Sequence, residues 1–245
     1  MKQTLKLAAA VLLMAGLVCA CTPEIELAGS AWSGSIDVDA YADEDNDAYV
    51  ATYTLVCNSA RKGMLFLTVS YYDDAMPLCF AMPVSYTWDG GKGTATATLS
   101  HPEIGNKTFS IPLSWSKTSG LLASFTSIEQ SLEIRSPLSL EQKSFAKPAS
   151  MDGTTWTVEF DEDMDHFVYE LKFVSASAAV LNLTMVEGED SENMRWNVNY
   201  SYSEGIGTTS IFWEGENIRG AFYMPDATHM IFSDGENGLS FTKQQ

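Results

Sequence analysis

The sequence predicts an all-β protein made of two tandem eight-stranded antiparallel meander barrels. Short segments that alternate apolar and polar residues between turn formers carry the strand assignment. An ungapped internal match between the two halves carries the duplication.

The second half parses most directly. Residues 155–160, 167–174, 179–186, 195–203, 208–213, 218–224, 230–233 and 239–242 are rich in β-branched and aromatic residues and are separated by Gly, Asp, Asn or Pro. Phe167, Tyr169, Leu171 and Phe173 share one face of their strand, as do Trp196, Val198, Tyr200 and Tyr202 of theirs. The opposite faces carry Glu170, Lys172, Asn182, Arg195 and Asn197. One dry and one wet face in a run of hairpins marks an antiparallel meander. Eight such strands can close and so remove their edges. A two-sheet β-sandwich has the same strand pattern and is the alternative.

The first half repeats this plan from residue 31 to 140. "YTLVCNSARKGMLFLTV" (53–69) lies over "YELKFVSASAAVLNLTM" (169–185), and "SYTWDGGKGTAT" (85–96) over "NYSYSEGIGTTS" (199–210). "GSAW" (29–32) likewise answers "GTTW" (153–156), so the three matches fall at offsets of 116, 114 and 124. The match also reads the GGKGT stretch. A Walker loop needs G-x-x-x-x-G-K-[ST] between a strand and a helix. Here strands flank both sides, and Ile206 stands where Lys92 stands in the first copy. The glycines Gly91 and Gly93, answered by Gly205 and Gly207, predict a hairpin turn that exploits positive φ.

The boundaries follow. Lys2 and Lys6 precede an apolar run from Leu7 to Val18, too short to span a bilayer, so residues 1–20 read as a signal peptide. The "LVCAC" that ends it resembles the lipobox of bacterial lipoproteins, and that resemblance implies acylation of Cys21 rather than Cys19. Two or more acyl chains make a stable anchor. Residues 21–28 then read as a tether, 29–140 as barrel one, 141–150 as a linker and 151–245 as barrel two. The short tether places barrel one against the membrane and barrel two further out. A glycine followed at the third position by tryptophan on the first strand, and then an eight-stranded meander, resembles lipocalin-like domains. Small lipid-anchored proteins of Gram-negative anaerobes often carry such domains, so the resemblance implies an outer-membrane lipoprotein, with its membrane face undecided.

Composition limits the partners. The 245 residues carry 32 acids against 14 bases, a formal charge of −18, which supplies no footprint for nucleic acid. The same acidity argues against docking on anionic lipid by charge, leaving the N-terminal lipid as the membrane contact. The acidic loops "DVDAYADEDNDAY" (37–49) and "DEDMDH" (161–166) fail the EF-hand pattern, because its sixth and twelfth positions fall on Ala48 and Thr54. His101, His166 and His229 have no partner at metal spacing, and H-E-x-x-H, G-x-S-x-G and paired C-x-x-C are absent. No cofactor, metal or catalytic residue is therefore expected.

Trp32 and Trp156 are expected to plug the closed end of each barrel. Tyr86, Trp88, Tyr169, Trp196, Tyr200 and Tyr202, with Met82, point inward. They either line a pocket for a flat or apolar ligand or simply fill a small barrel. Cys57 and Cys79 lie on opposite faces and at opposite ends of parallel-running strands, which predicts two free thiols. The expected function is a non-enzymatic, lipid-anchored envelope protein that binds a small apolar ligand or a protein partner. The alternative is a protease inhibitor or assembly protein acting through exposed hairpin loops.

Overall fold

The computed structural model describes residues 25–38, 49–71, 76–101, 105–125, 137–162, 165–188, 190–213 and 215–244. Cys21 and most of the first acidic loop lie outside the described residues. The first barrel is built from β1 (Ser30–Val38), β2 (Tyr49–Cys57), β3 (Lys62–Tyr71), β4 (Leu78–Trp88), β5 (Lys92–His101), β6 (Gly105–Ser116), β7 (Gly120–Ala123) and β8 (Leu138–Lys143). The second follows as β9 (Thr155–Glu162), β10 (Asp165–Phe173), β11 (Ala178–Glu187), β12 (Asp190–Ser203), β13 (Ile206–Trp213), β14 (Glu216–Tyr223), β15 (His229–Ser233) and β16 (Gly238–Lys243). Every pairing is antiparallel. β1 closes on β8 through Ala31–Lys143, and β9 on β16 through Trp156–Lys243. Closure rules out the sandwich.

Each meander has an even number of strands, so its chain leaves at the end where it entered. We call that end the base and the other the mouth. Both bases are plugged in the same way. Gly29, at φ +75°, turns the chain so that Ser30 Oγ donates to Leu27 O at 2.5 Å and accepts from Trp32 Nε1 at 2.7 Å. In the second copy Gly153 has φ +77°, Thr154 Oγ1 donates to Met151 O at 2.6 Å, and Trp156 Nε1 donates to Thr154 Oγ1 at 3.0 Å. The hydroxyl after the glycine therefore completes the tryptophan plug, since a buried indole N–H needs an acceptor.

The segment expected as a tether is partly structural. Leu27 is buried in the first core, Ile25 packs against it, and Trp88 Nε1 donates to Ile25 O at 2.8 Å. Apolar Leu27 has more to gain in the barrel than in water, so residues 25–28 belong to the fold and not to a free tether.

The expected linker is also corrected. Residues 141–143 complete β8, and the chain then runs along the base. Ala146 N donates to Met224 O at 2.8 Å, and Lys147 Nζ to Gly29 O at 3.0 Å.

The barrels stand side by side, not one above the other. Their bases touch through those bonds and through Asn58 Nδ2 to Ser203 O at 3.4 Å. Their mouths touch where Leu78 bridges Asn237, with Cys79 N to Glu236 O and Gly238 N to Pro77 O both at 2.7 Å. Both mouths therefore open to the same side. Between them lies a third core, made by outward-facing Ala31, Val56, Met64, Phe66 and Cys79 against Ile206 and Ala221. Phe66 and Tyr223 pack with ring centroids 4.7 Å apart. The wet outer face expected for the first copy is thus dry over β2 to β4.

The GGKGT stretch is a hairpin turn. Gly90 has φ +88°, and Asp89 Oδ1 accepts from Lys92 N at 2.6 Å. The second copy turns through Glu204 at φ +51° and Gly205 at φ +90°. Gly91, Gly93 and Gly207 depart from expectation, because none of them adopts positive φ, and the last two serve packing instead. A Cβ on Gly93 would lie 2.1 Å from Thr87 O, and one on Gly207 2.0 Å from the Phe222 ring. They are required for close packing. Gly207→Ala should therefore lower stability by about 2 kcal/mol or more, as overpacking does. Gly91→Ala, with nothing within 4 Å, should leave the denaturant midpoint in place.

Cys57 and Cys79 are free and buried, the first in the core of barrel one and the second at the seam. Burial pushes the Cys57 thiol from 9.0 up to about 12, against a smaller opposing effect of the neighbouring Tyr86 hydroxyl. A raised pKa means that the folded state keeps a proton the unfolded chain gives up. Its contribution is complete below 9.0 and is lost as pH climbs toward 12. The stability of Cys57→Ala should fall less steeply than that of the parent across that window, and an unchanged slope would contradict this. Non-reducing peptide maps should show no Cys57–Cys79 bridge.

Candidate functional site

Burial in each barrel is graded along its axis. At the base of barrel two, Trp156, Leu171, Phe173, Phe222 and Phe241 are buried, and Tyr200 joins them. Toward the mouth the inward residues become half-exposed. Phe160, Phe167, Tyr169 and Trp196 all retain accessible surface although strand alternation points them at the barrel axis. Phe160 stacks on Phe167 at 5.3 Å and 17° and on Tyr169 at 6.0 Å and 15°. The first barrel shows the same gradient, with Ile36, Leu67, Phe80, Leu99 and Phe109 half-buried above a filled base. Among the described residues, each barrel has a solid floor and apolar side chains that keep accessible surface toward the mouth.

Height along the barrel, read from strand position, separates the six aromatics that the sequence groups together, although Trp88 and Tyr202 are partly buried just as Tyr169 and Trp196 are. Tyr169 and Trp196 stand in the mouth of barrel two. Tyr86, Trp88, Tyr200 and Tyr202 belong to the bases. Tyr86 Oη donates to Ser59 O at 2.5 Å, and Tyr200 Oη to Ser175 O at 2.7 Å, each clamping the neighbouring hairpin. Tyr202 packs parallel to Phe222 at 6.1 Å, and burial pushes its phenol up to about 12. Sequence reasoning missed Phe160 as a site residue. Its signal was the Trp156–Val158–Phe160 alternation, which carries the apolar face of β9 up to the rim.

The rim itself is polar. Asp161, Glu162, Asp165, Glu187 and Asp190 flank the mouth of barrel two, and His166 Nδ1 lies 2.8 Å from Asp161 Oδ1. Burial is the main cause raising the Tyr169 phenol, with Asp234 and Glu162 adding to it. Tyr169 is therefore a neutral donor at the edge of an acidic ring. Inside barrel one, Tyr53 Oη and Trp115 Nε1 are buried and meet no hydrogen-bond partner among the described residues. Two grooves of about 460 and 370 Å³ run between the outer walls of the barrels. Among the described residues no three metal-ligating side chains converge.

No protein-family model matches the chain, and no curated protein matches it. A solved structure of a protein of unknown function from the DUF3598 family of Nostoc punctiforme aligns over 88% of this chain and 95% of its own, at 9% identity and a TM-score of 0.22. That superposition is too loose to carry a fold or functional argument, and the architecture rests on the chain's own strand pairing.

The plug generates a direct test. Ser30→Ala and Thr154→Ala each strand a buried indole N–H, which should cost about 1–3 kcal/mol by chemical denaturation. Thr154→Ser, which keeps the acceptor, should cost clearly less.

Proposed function

We propose that the protein is a non-enzymatic, lipid-anchored binding protein of the bacterial envelope, and that it holds a small flat or apolar ligand in the mouth of its second lipocalin-like barrel. The observation that carries this reading is the half-exposed stack of Phe160, Phe167 and Tyr169, with Trp196 nearby on the same inward face. Aromatic side chains that face a barrel axis yet keep accessible surface offer a ligand the contact area that fully buried core residues cannot. Acylation of Cys21 is the anchor, inferred from the lipobox resemblance. The position of Ile25 at the base of barrel one agrees with it, since the chain arrives there only four residues after Cys21.

One observation favours a protein partner instead. Phe212, on the outer wall of β13 near the mouth, is 73% exposed and offers an aromatic anchor to another protein. The two readings separate cleanly. Native mass spectrometry of protein purified from its own host should show a co-purifying small molecule. An empty protein that retains another envelope protein, and loses it with Phe212→Ala, supports the interaction reading. An uncharged fluorescent probe such as 1-aminoanthracene should bind the purified protein and weaken about ten-fold in Phe167→Ala, a loss of roughly 1.4 kcal/mol. Tyr200→Phe, in the floor, should bind it as the parent does. The N-terminal peptide should begin at an acylated Cys21, and an unmodified peptide would remove the anchor.

A further inference from the structure

The charge of −18 is segregated along the barrel axis. Alternating strands bring four separate stretches of the first barrel to its base. These are the hairpin between β2 and β3, the turn between β4 and β5, the turn between β6 and β7, and the run leaving β8. They place Arg61, Lys62, Lys92, Lys117, Lys143 and Lys147 on one surface, all exposed. Only Glu26, Asp89 and Glu141 oppose them among the described residues there.

Several of these cations remain free. Glu141 is taken by Lys143 at 2.7 Å, and Asp89 is turned onto the backbone N–H groups of Gly91 and Lys92. Arg61, Lys62 and Lys117 have no ion-pair partner among the described residues, and Lys92 makes no close ion pair although its charge helps to hold Asp89 ionised. Other acids lie apart from this patch, with Asp161, Glu162, Asp165, Glu187 and Asp190 around the mouth of barrel two and Asp152, Glu204 and Asp226 on the base of barrel two.

We propose that the base of the first barrel lies on the anionic headgroups of the membrane that anchors the chain, holding both mouths away from that membrane. The proposal rests on the lipid-anchor reading and adds an orientation to it. Three features of the molecule support it. The surface is basic in an otherwise acidic protein, so its partner is an anion-bearing surface. The chain emerges at that surface, because Trp88 Nε1 holds Ile25 O at the base. The residues from Cys21 to Ile25 span at most about 14 Å, so an anchored base cannot stand far from the headgroups.

The mouth does not cancel the attraction. Strands of this length set the two ends about 25 Å apart, roughly three Debye lengths at physiological salt. Acids at the mouth are therefore screened from the lipid surface while the basic base is not. The tether keeps the base near the membrane, and the charge seats that surface, rather than a barrel wall, on the headgroups.

The test uses the lipidated full-length protein reconstituted in phosphatidylcholine vesicles with or without phosphatidylglycerol. A fluorophore is placed at the base on Thr118→Cys or at the mouth on Glu216→Cys, and is quenched by nitroxide lipid or by aqueous iodide. With phosphatidylglycerol present, the base label should be quenched by nitroxide lipid about five-fold more than the mouth label, the equivalent of one basic residue at an anionic surface. High salt, omission of phosphatidylglycerol, or the exposed-turn variant Lys92→Glu/Lys117→Glu should collapse that contrast. The milder Lys92→Gln/Lys117→Gln should reduce it in the same direction. Equal quenching at both positions in vesicle-bound protein overturns the orientation and leaves the anchor standing. A contrast indifferent to salt, lipid and charge reversal overturns the contact with anionic headgroups, because the tether alone would then hold the base toward the membrane. Wild-type protein that associates with neither vesicle overturns both.

Discussion

Closure of an even number of antiparallel strands is the constraint from which the remaining features follow. A meander that closes after its eighth strand must release its chain at the end where it began. The first barrel therefore delivers residues 144–150 to its own base, and the second barrel must begin there. With so short a connection, the two bases sit at one level and both mouths open to one side. A meander of seven or nine strands would have pointed the cups in opposite directions. Strand alternation also gathers every second hairpin of a barrel onto a single surface, and parity adds the departing chain to it. That is how lysines and an arginine far apart in sequence come to share the base of barrel one.

The seam between the barrels makes this arrangement rigid. Phe66 against Tyr223, and the short pairing of residues 77–79 with residues 236–238, tie the walls at mid-height and at the mouths. The seam is close enough that a Cβ on Gly238 would stand 2.8 Å from the Cys79 Cβ. Burial raises the Cys79 thiol, with the hydrogen bonds of Thr68 and Ser233 opposing it, so the seam holds a neutral thiol and not a reactive one. Duplication supplied two similar barrels, and apolar residues on the outer wall of β3 joined them.

Period-two alternation made the second barrel legible almost strand for strand, because its outer wall is wet and its inner face dry. It was less informative where both faces are buried. Met64, Leu65, Phe66 and Leu67 form a continuous apolar run, and such a run says nothing about which neighbour covers its outer face. The tryptophan plugs were legible from Gly29, Trp32, Gly153 and Trp156. The Ser30 and Thr154 hydroxyls that complete them were not singled out, since a hydroxyl is ordinary at a strand start. For the candidate site, alternation identified which aromatics point inward but not how high in the barrel each sits. Tyr200 and Tyr169 look equivalent in sequence, yet one clamps a hairpin at the floor and the other lines the mouth. Height along the axis depends on register across several strands, and no single segment encodes it.

The shared orientation of the two cups links fold, binding and placement on a membrane. Spin labels on Asn106 and Glu187 at the two mouths, and on Thr118 and Ala176 at the two bases, report it through pairwise distances by pulsed electron resonance. Side-by-side barrels with common bases require the mouth-to-mouth and base-to-base pairs to be shorter than both mouth-to-base pairs taken across the barrels. Longer like-end than cross-end distances would mean that the barrels are inverted or stacked, and the parity argument would fail with them.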